Sequence, residues 1–139
     1  MPVHWKRLAM FGFLGLAGCA TEPVSLTDAG RISVETVSSD AARVWWVDVL
    51  ESRRGIQVTG EVIRRADWPA DRPGHVDIEV RLPEGGMYRM QNVDMEPVIT
   101  PGGGSRRLAF RVDLAVQPPM VGSVWVIHHA RGADHPRAV

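Results

Sequence analysis

The sequence predicts an all-β domain, an antiparallel β-sandwich of about seven strands, behind an N-terminal signal helix. Three observations lead there. Val76, Ile78, Val80 and Leu82 alternate with His75, Asp77, Glu79 and Arg81, and Leu108, Phe110, Val112, Leu114 and Val116 alternate with Arg107, Ala109, Arg111, Asp113 and Ala115. A period of two describes a strand with one dry and one wet face, whereas a helix would scatter those charges around its circumference. Turn-forming clusters recur at short intervals, and beyond the N-terminal segment no stretch repeats apolar residues at helical spacing.

The first element is an address. Lys6 and Arg7 precede an apolar run from Leu8 to Leu16, followed by Ala17, Gly18, Cys19 and Ala20. This is the order of a signal peptide: a basic patch, an apolar stretch and a small-residue cleavage zone. Leu8 to Ala20 is 13 uncharged residues, short of the ~20 a transmembrane helix needs. Leu16-Ala17-Gly18-Cys19 resembles the lipobox of bacterial lipoproteins. That resemblance, confined to the N-terminus, implies cleavage between Gly18 and Cys19, with residues 1–18 removed and a lipid attached covalently to Cys19. It implies a bacterial cell-envelope location, anchored in the membrane by acyl chains that contribute ~0.8 kcal/mol per buried methylene. Ala20, where aspartate would retain the chain at the inner membrane, points to the outer membrane, facing the periplasm.

Residues 19–30 read as the lipidated cysteine and a flexible tether, polar and broken by Pro23, and residues 31–139 as the sandwich. Strands are expected over Ile32–Val37, Arg43–Leu50, Ile56–Arg64, His75–Leu82, Met87–Met95, Arg107–Val116 and Ser123–His128. Ser52-Arg53-Arg54-Gly55, Pro83-Glu84-Gly85-Gly86, Pro101-Gly102-Gly103-Gly104 and Gln117-Pro118-Pro119 are the sharp breaks between them, and Trp68 to Pro73 is a longer loop. This spacing resembles immunoglobulin-like and fibronectin-III-like sandwiches; a small Greek-key barrel is the alternative. The single cysteine removes the disulfide of an antibody-type domain. The expected core is Val76, Ile78, Val80, Leu108, Phe110, Val112, Leu114, Val124 and Val126.

Composition narrows the function. Sixteen basic and sixteen acidic side chains leave no field for nucleic acid. Removal of residues 1–18 leaves 121 residues with 14 arginines against 16 acids, about −2. One cysteine excludes a multi-cysteine metal site, and its acylation removes the only thiol nucleophile. No Gly-x-Ser-x-Gly or His-Glu-x-x-His occurs, and Gly102-Gly103-Gly104-Ser105 lacks the lysine and following helix of a phosphate loop. Asp77 and Glu79, about 7 Å apart along one strand face, read as part of an ion-pair lattice with Arg81 and Arg111.

Two groups of residues remain as candidates. Trp45 and Trp46 are adjacent, so in a regular strand they face opposite ways. One enters the core and the other, Trp46, is left for an edge or a partner, with Trp68 as a second candidate contact. Four histidines follow the signal peptide: His75, His128, His129 and His135. His128 and His129 point to opposite faces, so only one of them can join His135 and His75 around a copper, nickel or zinc ion. Met87, Met90 and Met95 would add soft ligands, although one strand face cannot present all three. Ligand types and architecture are similar to periplasmic copper-carrier sandwiches, but no histidine follows Cys19 as in that family. The composite expectation is a lipid-anchored, non-enzymatic envelope module that binds another envelope protein, with a copper or zinc carrier or sensor as the alternative. No cofactor is expected beyond the lipid on Cys19.

Overall fold

The computed structural model describes residues 22–102 and 106–132. Among the described residues eight strands run in chain order: β1 Ser33–Val37, β2 Ala42–Ser52, β3 Gly55–Arg64, β4 His75–Arg81, β5 Met87–Val93, β6 Glu96–Pro97, β7 Arg107–Leu114 and β8 Ser123–His129. One 3-10 turn, Pro118–Met120, lies before β8. They form two four-stranded sheets, β1-β8-β4-β5 and β2-β3-β7-β6, so the all-β sandwich expected from the alternation is the fold observed. Among the described residues no helix is long and apolar enough to cross a membrane.

The core lies where the alternating faces meet. β4 and β8 contribute Val76, Ile78, Val80, Val124 and Val126, all buried, against Ile56, Val58, Val62, Phe110 and Leu114 from β3 and β7. Each such aliphatic side chain stabilises the fold by about 1.5–3 kcal/mol when fully withdrawn from water. The expected core is recovered apart from Val112, which is partly buried at the margin of the cluster.

Four features depart from the sequence expectation. Pairing is not wholly antiparallel: β1 runs parallel to β8, Val34 beside Val124. In immunoglobulin-type sandwiches that edge belongs to an antiparallel C-terminal strand; here an N-terminal strand takes it. The stretch Met87–Met95 is not one strand: β5 stops at Val93, and β6 pairs with β7 in the opposite sheet. Arg111 is not a neighbour of Asp77 or Glu79, because it lies opposite Thr59 in the second sheet. Finally, the tether is shorter than expected. Leu26 is wholly buried and its N–H donates to Val49 O at 2.7 Å, while the Glu51 N–H donates to Val24 O at 2.9 Å. From Val24 onward the chain is therefore held against the edge of β2.

The two tryptophans also break the expectation, through a bulge. Val44 pairs with Val62 and Trp46 with Glu61, so Trp45 is an extra residue in β2. An inserted residue resets the alternation. Val44 and Val49 have opposite parity in the sequence, yet both are buried. The same reset leaves Trp45 and Trp46 exposed, at 49% and 41%, and neither enters the core. The Arg107 guanidinium lies 5.1 Å from the Trp45 ring and makes two hydrogen bonds to Glu61, of 2.7 and 2.9 Å.

Candidate functional site

The outer face of β4 carries His75, Asp77, Glu79 and Arg81, because Val76, Ile78 and Val80 take the core side. Two of these four have simple partners. Glu79 forms an ion pair with Arg89, its cross-strand neighbour on β5. Arg81 lies over the Trp125 ring, 4.1 Å from its centroid. The ion-pair lattice expected on this face is thus built from Arg89 rather than Arg111.

His75 and Asp77 belong to a different group. His75 stands directly opposite His129 in the β4–β8 ladder, and Asp77 follows one step along, opposite Ile127. The two imidazoles stack with centroids 5.2 Å apart and planes inclined by 21°. Asp77 reaches both: Oδ1 is 3.6 Å from His75 Nε2 and Oδ2 is 3.4 Å from His129 Nε2. One ligand atom from each of the three residues lies within 4.8 Å of the other two. The Asp77 side chain is only 4% exposed, against 17% for His75 and 21% for His129. The carboxylate therefore forms the floor of the group, with the imidazoles above it.

A local irregularity fixes that floor. Val76 pairs with Val93 but Ile78 pairs with Met90, so β5 carries an extra residue here. Asn92, at φ 56, is the non-glycine residue with positive φ in this segment, and its N–H donates to Asp77 Oδ1 at 3.0 Å. Asparagine tolerates this left-handed conformation better than most residues. The bulge thus turns a backbone donor from the ladder onto a buried carboxylate.

His128 points the other way, as the alternation of β8 requires. It is buried, 2% exposed. Its Nε2–H donates to Pro73 O at 2.9 Å, and its Nδ1 accepts from the Ser39 hydroxyl at 2.8 Å. A carbonyl oxygen can only accept, which sets the tautomer. Burial, reinforced by the nearby His129 and His75, holds its pKa below the usual histidine value, against the opposing pull of the Pro73 carbonyl. Gly74, at φ +77, lets this corner close: a Cβ there would stand 2.1 Å from His129 O and 3.1 Å from His128 Nε2. An open hollow beside His75 is lined by Gly74, Asn92, Asp94 and Arg131 among others.

Of the histidines singled out in the sequence, the structure brings His75 and His129 together and separates His128 from them; His135 lies outside the described residues, as do Gly18, Cys19 and the rest of the lipobox. Met90 and Met95 pack against the core and Met87 is exposed on β5. Trp68 is a loop staple, its indole N–H donating to Arg72 O at 2.9 Å while its carbonyl accepts from the Arg64 guanidinium. Asp77 is the member of the group that the sequence reading placed elsewhere, in the ion-pair lattice. Its signal was present, since His75 and Asp77 are two apart on one strand and must share a face.

No family model, no curated protein and no solved structure matches this chain.

Proposed function

We propose that the chain is a bacterial lipoprotein of the cell envelope, in which a β-sandwich held by a lipid on Cys19 serves as a non-enzymatic binding or assembly module. The lipobox-like Leu16-Ala17-Gly18-Cys19 supports the anchor, and Ala20 supports the outer membrane, facing the periplasm. The observation that carries the reading is where the fold takes hold of the chain. Val24 is already hydrogen-bonded to β2, five residues beyond Cys19. An extended chain advances at most ~3.6 Å per residue, so the anchor would lie within about 18 Å of the sandwich. A module so tethered works at the membrane surface on neighbours it meets there.

The partner is another envelope protein, and the face offered to it is the outer side of β2. Trp45 and Trp46 stand there side by side, with the Arg107–Glu61 pair beneath Trp45. Exposed tryptophans flanked by an arginine are the residue types that anchor protein interfaces. The near-neutral charge gives no support to nucleic acid as a partner.

The anchor is tested by radioactive palmitate labelling in cells. The wild-type chain takes up label and partitions into detergent; Cys19→Ala does neither. An unlabelled, freely soluble wild-type chain overturns the anchor. The binding face is tested by replacing Trp46 with a photo-crosslinking amino acid and identifying what is captured in the membrane fraction. A discrete envelope protein, lost when Trp45 is also changed to alanine, supports the reading; no adduct overturns it.

A further inference from the structure

We propose that His75, Asp77 and His129 form a binding site for one divalent transition-metal ion of the zinc, copper(II) or nickel class. The proposal is independent of the membrane anchor and of the tryptophan face. Two imidazole nitrogens and a carboxylate oxygen are the donor set that such borderline ions favour, whereas calcium and magnesium prefer oxygen alone. With neutral imidazoles the set carries one formal negative charge, from Asp77, which favours a dication.

The spacing fits with little movement. Bonds of about 2.0–2.2 Å in tetrahedral geometry separate ligand atoms by about 3.3–3.6 Å. Asp77 Oδ1 is 3.6 Å from His75 Nε2 and its Oδ2 is 3.4 Å from His129 Nε2, and with one ligand atom taken from each residue all three lie within 4.8 Å of one another. Bringing ligand atoms from 4.8 Å apart into that range requires a movement of about 1 Å. His75 and His129 are partners at the ends of β4 and β8, and side-chain rotation is the movement the proposal requires of them. Three protein ligands leave one coordination position, and an open hollow lined by Gly74, Asn92, Asp94 and Arg131 lies beside His75.

The surroundings support a built site rather than a chance meeting of side chains. Asp77 is nearly inaccessible, and the Asn92 N–H holds its Oδ1. Metal-ligating carboxylates are oriented by such outer hydrogen bonds. The donor is supplied by an extra residue at positive φ, a departure from regular strand structure of the kind that clusters at functional positions. Behind the site, Gly74 allows the carbonyl of His129 to approach the β4 strand start more closely than any other residue would permit.

The test uses the full-length chain carrying Cys19→Ala, purified in detergent and stripped with a chelator, so that no thiol competes. Zn2+, Cu2+ and Ni2+ are titrated separately by calorimetry. The expected result is one ion per chain with micromolar or tighter affinity, Cu2+ binding most strongly in accord with the Irving–Williams order. His75→Ala, His129→Ala and the isosteric Asp77→Asn each weaken binding at least about tenfold, while His135→Ala leaves it unchanged. Circular dichroism of the metal-free variants separates lost ligands from lost folding. NMR of the unaltered triad adds a readout that needs no variant in it: Zn2+ shifts the imidazole resonances of His75 and His129 and leaves those of His128 in place. Absence of binding for all three ions overturns the proposal. So does binding that survives the three triad substitutions, or that vanishes with His135→Ala while surviving His75→Ala.

Discussion

Phe110 fills the space that a side chain at position 60 would need. The two are cross-strand partners on β3 and β7, and a Cβ on Gly60 would stand 2.7 Å from Phe110 Cζ and 2.4 Å from the carbonyl oxygen of Trp46. The ring therefore lies over bare backbone in the middle of the core, and the bulge at Trp45 brings the β2 carbonyl in from the other side. Gly60→Ala has to displace both. Overpacking of this kind costs about 1–3 kcal/mol, to be read as a lowered midpoint in urea with the slope unchanged. Retention of the wild-type midpoint would show that the ring and carbonyl can give way.

The complementary change is Phe110→Ala. It empties the space over Gly60 and leaves a cavity between the sheets, at a cost of about 3–5 kcal/mol. That is a large share of the stability of a domain this size. Thermal unfolding of the two variants, followed by tryptophan fluorescence, should rank Phe110→Ala as the more damaging.

What could be read in the sequence follows from how local each cause is. β4 and β7 were legible because their alternation runs unbroken, and the buried set Val76, Ile78, Val80 and Phe110 follows from parity alone. The bulge at Trp45 was not legible, since one extra residue shifts the pattern without any special residue type marking it, and the bulge near Asn92 was marked only by an asparagine, which tolerates positive φ but does not demand it. The parallel pairing of β1 with β8 joins segments about ninety positions apart and leaves no local trace. The metal candidate was half legible. His75 and Asp77 share a face by spacing, and His128 and His129 must diverge. The choice of His129 over His128 depends on the register that sets His75 opposite His129, which is a property of the β4–β8 pairing.

The Arg107–Glu61 pair makes a prediction about partial burial. The Glu61 side chain is 12% exposed and that of Arg107 40%, so water screens one partner and not the other. Arg107→Ala leaves a nearly buried carboxylate without its bidentate donor and should destabilise by about 1–2 kcal/mol once screening on the arginine side is allowed for. Changing both residues, Arg107→Ala with Glu61→Gln, should recover part of that loss, because no stranded charge remains. A double-mutant cycle by chemical denaturation measures the coupling.

Trp45→Ala and Trp46→Ala should leave the fold nearly intact. Both side chains are exposed, and substitutions of exposed residues usually change stability by no more than about 0.5 kcal/mol. Trp45→Ala removes one ring stacked on Arg107 but not the hydrogen bonds from Arg107 to Glu61. A drop of several kcal/mol for either variant in thermal denaturation would mean that the tryptophans hold the β2 bulge in place instead of serving a partner.

His128 should behave as a structural residue, in contrast to its neighbour. Its two ring nitrogens close a bridge between Ser39, in the β1–β2 connection, and Pro73, just before β4. The imidazole thus ties both connections to the end of β8. His128→Ala removes the acceptor for the Ser39 hydroxyl and the donor for the Pro73 carbonyl, and it leaves a void where the ring stood. Unmet buried polar groups cost about 1–3 kcal/mol, and the void adds to that. His129→Ala removes a half-buried ring with no core role and should cost less. The order reverses for metal: Zn2+ added to His128→Ala below its unfolding temperature should still raise the melting point, because His75, Asp77 and His129 remain, whereas His129→Ala should show no such rise. Equal loss of the zinc effect in both variants would mean that the interior bridge and the outer group are one unit.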